Sequence, residues 1–167
     1  MPNWVSNNLT ASKHVVESLL VTTAEGNDYV EFNNIVPRPD IVRNITGNGK
    51  GYKRFNKDGS VNANSTALTP EEIEFYKNLF GPHIDWYEWA LHNWGTKWTK
   101  LPVLYKTNES DNIMRIRFET AWSLPHEFYL KLSEVFPKDR IIVEFEEEMD
   151  SFSGTHIYKG GELIEEI

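Results

Sequence analysis

IMRIRFETAWSLPHEFYLKLSEVFPKDRIIVEFEE, residues 113–147, is the stretch that decides the fold. It reads as a strand over Ile113–Ala121, a helix from about Pro125 to Phe136 and a second strand over Ile141–Glu147. In the last of these, Ile141, Val143 and Phe145 alternate with Glu144 and Glu146, the period of two expected of a strand covered on one side. Working outward, a strand is expected over Val103–Lys106, and two weaker strands, Thr155–Tyr158 and Glu162–Ile167, flank the turn Lys159-Gly160-Gly161. Near the N-terminus, Trp4–Thr10 suits a strand with Val5 and Leu9 inward. Ser12 then caps a helix from Lys13 to about Thr23, whose Val15, Val16, Leu19 and Leu20 form one stripe. Tyr29–Val36 reads as another strand, stopped by Pro37 and Pro39. This order predicts an α+β fold of the ferredoxin-like, split β-α-β kind: an antiparallel sheet with helices on one face, plus a C-terminal hairpin. One domain over 1–167 is expected, with a loop and helix insertion at about 40–95.

Within the insertion, residues 40–68 are rich in Asn, Gly and Ser and show no apolar periodicity, so no regular structure is expected there. At Thr69-Pro70-Glu71-Glu72 a helix begins: Thr69 is a good cap, Pro70 suits the first helical position and Glu72 completes a capping box. Gly81-Pro82 breaks it, and a second helix is expected from about His83 to Trp94. Its apolar residues occupy most of its circumference, leaving Asp85, Glu88 and His92 for water. These three share one helix face and are the strongest acid/base cluster of the chain; the plain reading is a solvated stripe, since no metal-binding His-Glu spacing is present.

Six Trp, seven Tyr and nine Phe supply ample apolar area for a core. With no Cys, disulfides, thiolate nucleophiles and cysteine-based metal sites are excluded. The sequence shows neither a signal-like segment nor an apolar run long enough for a bilayer, so a cytoplasmic protein without a membrane partner is expected. The sequons at Asn8, Asn44, Asn64 and Asn108 then carry no glycan. No cofactor, metal or catalytic residue is expected: the serines lack a nucleophile elbow and no dinucleotide or P-loop spacing occurs.

The net charge of −8 is unevenly distributed. Residues 139–167 hold nine acidic side chains against Arg140 and Lys159, and five of them, Glu144, Glu146, Glu147, Glu148 and Asp150, lie close together. Two readings stand side by side: an edge strand kept soluble, or a carboxylate surface that imitates nucleic-acid phosphate and engages a basic groove on a partner. Between Arg38 and Lys57 the sign reverses, with Arg38, Arg43, Lys50, Lys53, Arg54 and Lys57 opposed only by Asp40. With Tyr52 and Phe55 this stretch offers an alternative function, gripping a nucleic-acid backbone. The glycine loop Gly47–Gly51 lacks phosphate-loop spacing, and the aromatic signature of RNA-recognition domains is missing from the strands at 29–36 and 114–121.

Four segments, MPNWVSNNLT at the start, FNNIVPRP at 32–39, NWGTKW at 93–98, and FETAWSLP followed by FSG at 152–154, together resemble the YubB-like family of phage and plasmid proteins. The resemblance implies a ferredoxin-like domain and a mobile-element setting, with no firmly established biochemical role. The insertion and the acidic ending depart from that pattern. Trp94, Trp98 and Trp122 are expected to pack together, either as core or, with Asn93 and Lys97, as a recognition surface. The function expected is a non-catalytic accessory factor that binds a host macromolecule, such as a nucleic-acid-handling host protein, to block a defence system, with nucleic-acid binding through the 38–57 loop and an unrecognised enzyme using Asp85, Glu88, His92 or Lys97 as the alternatives.

Overall fold

The computed structural model describes residues 2–47, 51–60 and 66–167. In chain order, the first elements are β1 (Trp4–Ser12), α1 (Lys13–Leu19), β2 (Leu20–Thr22) and β3 (Asp28–Val30). Next come α2 (Asp40–Arg43), β4 (Ile45–Gly47), β5 (Tyr52–Arg54), α3 (Pro70–Phe80), α4 (Trp86–Trp94) and β6 (Leu101–Pro102). The chain ends with β7 (Tyr105–Asn108), β8 (Ile113–Ala121), α5 (His126–Val135), β9 (Ile141–Glu147), β10 (Ser153–Lys159) and β11 (Glu162–Glu166). Two compact units result, one formed by Met1–Pro37 with Asn93–Ile167 and the other by Arg38–His92.

In the first unit the alternation of β1 is complete: Val5, Asn7, Leu9 and Ala11 are buried and the residues between them are not. β1 pairs antiparallel with both β8 and β9, and the full sheet runs β11-β10-β9-β1-β8-β7. The four strands β9-β1-β8-β7 with α1 and α5 are the ferredoxin-like plan expected from the sequence; β10 and β11 extend the sheet beyond β9. Val15, Val16 and Leu19 of α1 and Phe128, Tyr129 and Leu132 of α5 are buried on the side of the sheet that carries Leu9, Ile116, Phe118 and Val143. Phe32 lies among them, 4.0 Å from the Phe128 ring and 6.0 Å from Trp94.

Two boundaries differ from expectation. The first helix stops at Leu19 because Leu20-Val21-Thr22 goes extended as β2 and pairs with β3, which suits its β-branched residues. Of the strand expected over Tyr29–Val36 only Asp28–Val30 forms. At Glu31 the side chain takes the backbone and side-chain N–H groups of Asn33, and Phe32–Asn34 winds into a 3-10 turn. β3 pairs with β2 and β6 in a separate small sheet.

The second unit has its own small core of Ile45, Leu68 and Ile84, with Tyr52, Ile73 and Tyr76 against it. The segment 40–68, expected to lack structure, contains α2 and the β4–β5 hairpin. Its elements are only three or four residues long, too short for periodicity to register. At Thr69 the capping box is present in full: Thr69 accepts from the Glu72 N–H, and the Glu72 carboxylate accepts from the Thr69 N–H.

Candidate binding face

The strand period that buries Val5, Asn7 and Leu9 turns Trp4, Ser6, Asn8 and Thr10 to the opposite side of the sheet, away from α1 and α5. There Asn8 stands between Arg117 and Glu144, Ser6 between Glu119 and Glu146, and Tyr105 opposite Arg117. Arg115 reaches diagonally to pair with Glu144. Arg117 is exposed and has no ion pair among the described residues. Two shallow depressions mark this face. One of about 510 Å³ is lined by Asn8, Tyr105, Arg115 and Arg117 among others. The second, about 240 Å³, is lined by Trp4, Ser6 and Arg117 and by the acidic residues Glu119, Glu146, Glu148 and Asp150, with Glu147 beneath them.

The five acidic residues singled out in the sequence therefore split. Glu144, Glu146, Glu148 and Asp150 are exposed. Glu147 is only 2% exposed and is a structural group: its Oε2 accepts from the Met149 and Ser151 backbone N–H groups and from the Ser151 hydroxyl. That hydroxyl and the two amides hold its carboxyl below the usual glutamate range against the opposing effect of burial. The turn it closes contains Asp150, a non-glycine residue at φ 56°.

The tryptophans split as well. Trp94 is fully buried, donates from its indole nitrogen to the Val36 carbonyl at 2.9 Å and packs edge-on against Phe32. Trp98 and Trp122 stay at the surface, 38% and 46% exposed, with rings nearly parallel and 6.5 Å apart. The ammonium of Lys97 lies between them, 3.7 Å from one centroid and 3.8 Å from the other. Trp4 is 5.9 Å from Trp98 on the side of the acidic depression. The motifs NWGTKW and FETAWSLP interlock to build this arrangement. Ser123 donates to the Gly95 carbonyl at 2.6 Å, and Thr96 donates to that of Ala121 at 3.2 Å. A side chain at Gly95, where φ is 77°, would press on the Pro125–His126 backbone at 3.1–3.3 Å. Asn93 is half-buried beside them in sequence.

In the second unit the basic residues are largely engaged. Arg54 pairs with Glu72 and donates to the Tyr76 hydroxyl, Arg38 donates to the Trp86 carbonyl at 3.4 Å, and Arg43 lies 3.8 Å from Asp40. Lys57 is exposed and Lys53 half-buried, while Lys50, with Asn48 and Gly49 of the glycine loop, and Asn64 and Ser65 lie outside the described residues. The stripe Asp85, Glu88 and His92 is not uniformly solvated. Asp85 is 4% exposed and caps α4, its Oδ1 accepting from the Tyr87 and Glu88 N–H groups at 2.9 Å. The helix accordingly starts at Trp86 and not at His83. Glu88 and His92 are exposed, and Tyr87 and Leu91, expected inward, are more than a third exposed. No three His, Asp or Glu side chains among the described residues converge as a metal site would require.

Residues of this face that sequence reading passed over include Glu119, Arg117 and Tyr105. The alternation Ile113, Arg115, Arg117, Glu119 in β8 is the signal that finds them. Also unforeseen is the Tyr158 hydroxyl, 2.9 Å from His126 Nδ1 and 3.0 Å from His156 Nδ1, with burial pushing its phenol well up. Tyr158 is fully buried, so this trio braces α5 against β10 and does not face a ligand.

Residues 103–167 match a family model described as the ferredoxin-like domain in Api92-like protein. The crystal structure of a protein api92 from Yersinia pseudotuberculosis is similar over 100% of this chain and 98% of its own, at a TM-score of 0.53 and 12% identity, which is a likeness of fold. No curated protein matches the chain. Among the described residues no helix is long and apolar enough to cross a membrane.

Proposed function

We propose that this chain is a non-catalytic binding protein that engages a basic host protein through the open face of its six-stranded sheet. The observation that carries this reading is the gathering of Glu119, Glu146, Glu148 and Asp150 around one depression beside Trp4, with Arg117 the one cation among the described residues that line it. Such a patch attracts cations at a distance and gives its aromatic rim desolvated contact area on arrival. The mobile-element setting implied by the resemblance of the four motifs, three of which carry tryptophan, makes the protein an accessory factor of a phage or plasmid. A host protein that handles nucleic acid is then the partner, its phosphate-binding cations meeting these carboxylates in place of phosphate. Nucleic-acid binding through Arg38, Arg43, Lys53, Arg54 and Lys57 has less support, because the three arginines already bond within their own unit.

The test combines Glu144→Gln, Glu146→Gln, Glu148→Gln and Asp150→Asn, leaving Glu147 to hold its turn. A lysine-rich peptide and the basic proteins of a bacterial lysate should bind the wild type with affinity that falls as salt rises. The fourfold variant should lose that binding while its melting temperature is unchanged or higher, since like-charge repulsion is relieved. Binding of unchanged strength and salt dependence would reduce the acidic face to a solubility device.

A further inference from the structure

The pair Trp98 and Trp122 has the geometry of an occupied receptor. Two tryptophan faces 25° from parallel and 6.5 Å apart leave room for one flat layer, since carbon-to-carbon contact needs about 3.5 Å on each side. The layer is filled by the protein's own Lys97. Its ammonium has no hydrogen bond or ion pair among the described residues and is held by the rings alone. An ammonium is a compact, strongly hydrated charge with three donors, so a slot that offers it no acceptor suits it poorly. A guanidinium is flat and less hydrated and stacks on aromatic faces, so the same slot suits it well.

The walls are fixed in place. Trp122 sits at φ 65°, a left-handed conformation that bulky residues rarely adopt, and its N–H donates to the Asn3 carbonyl at 2.8 Å. The bonds from Thr96 to Ala121 and from Ser123 to Gly95 tie the segments that carry the two rings. A strained backbone that holds a large ring half-exposed at the surface points to a ring kept there for contact with something else. Charge selects the guest: Trp4 leads from Trp98 into the depression of Glu146, Glu148 and Asp150, which attracts a cation and repels the phosphates of a nucleic acid whose bases would also fit flat.

We propose that the Trp98–Trp122 slot receives an arginine side chain of the basic partner and that Lys97 is a placeholder displaced when it enters. The inference rests on the binding function proposed above and names the side chain that anchors it.

Two peptides of equal length and charge, one arginine-rich and one lysine-rich, separate the two ideas when titrated by tryptophan fluorescence. Wild type should prefer the arginine peptide about two- to fivefold, the scale of an exposed cation–π contact. Lys97→Ala, which empties the slot, should tighten the arginine peptide by more than it tightens the lysine peptide, as removal of an internal competitor requires. Trp122→Leu should bring the two affinities together. Equal binding of both peptides by wild type, or a Lys97→Ala effect identical for both, overturns the arginine slot while leaving the acidic face standing. Binding of neither peptide overturns both. Stacking of a single-stranded oligonucleotide that competes with the arginine peptide would overturn the choice of guest. Should Trp122→Leu fail to fold by circular dichroism, the Lys97→Ala comparison decides alone.

Discussion

Ser6, Asn7 and Asn8 are consecutive polar residues of one strand, yet they belong to surfaces of opposite kind. On the side covered by helices, Asn7 is fully buried and completely matched. Its amide donates to the Val5 carbonyl at 2.9 Å and to the Thr120 hydroxyl at 3.0 Å, its oxygen accepts from the Tyr129 hydroxyl at 2.9 Å, and the Thr120 hydroxyl donates in turn to the Ser123 carbonyl. On the open side, among the described residues, Arg117 has no ion pair and Lys97 has only rings. Buried polar groups left unmatched are costly, so a fold satisfies them where it must be stable; polar groups left unmatched at a surface are available to bind. The two sides of β1 thus separate the residues that make the fold from those that can recognise a partner.

The largest expected effect tests that separation on the tryptophans. Trp94→Ala removes a fully buried indole from the Phe32 cluster and leaves the Val36 carbonyl without its donor, for a loss of about 3–5 kcal/mol. Trp122→Ala removes an exposed ring and should change the denaturant midpoint little. If the two variants unfold at similar denaturant concentrations, Trp122 belongs with the core and the open face loses its anchor.

An intermediate effect is expected at Asn7. Asn7→Ala strands the Tyr129 hydroxyl and one bond of Thr120 in a dry interior, at about 1–3 kcal/mol. Because Tyr129→Phe removes the group that Asn7→Ala strands, the double variant should be less destabilised than the sum of the singles. Strict additivity in chemical denaturation would show that the network is not coupled across the sheet and α5.

Much of this division is legible in the sequence, and its gaps have physical causes. Period-two alternation gave β8 and β9 to the residue, and the capping box gave the start of α3, because each rests on contacts among neighbours in the chain. Charge misled where the partner is distant. Arg54 reads as a free cation beside Lys53 until the fold brings Glu72 to it, and Glu147 reads as one more acid in a run until the chain turns back at Ser151. Trp94 and Trp98 are four residues apart in one motif, and nothing local distinguishes the buried one from the exposed one. Which tryptophan faces out depends on Gly95, whose positive φ turns the chain between them.

The smallest effect is expected at Glu147, where the two surfaces meet: its side chain turns inward at the end of β9 while Glu146 and Glu148 point to the open face. Its carboxyl is held below the ordinary glutamate value of 4.5, chiefly by the Ser151 hydroxyl and then by the amides of Met149 and Ser151. A group with a lowered folded value contributes its full share above the ordinary value and loses it as the pH falls through the lowered one. Wild type should therefore exceed Glu147→Gln in stability at neutral pH, and the gap should close as the pH is taken below 4.5. Equilibrium denaturation of both proteins along that range measures the gap, and amide hydrogen exchange at Met149 and Ser151 locates it in the turn. Because Glu147→Gln keeps shape and size and removes only the titrating charge, a gap that stays constant across the range would mean that the carboxylate is not what closes the turn. The exposed loop bearing Glu148 and Asp150 would then be positioned by Asp150 itself, and the acidic rim of the open face would owe its geometry to backbone conformation instead of to this buried anchor.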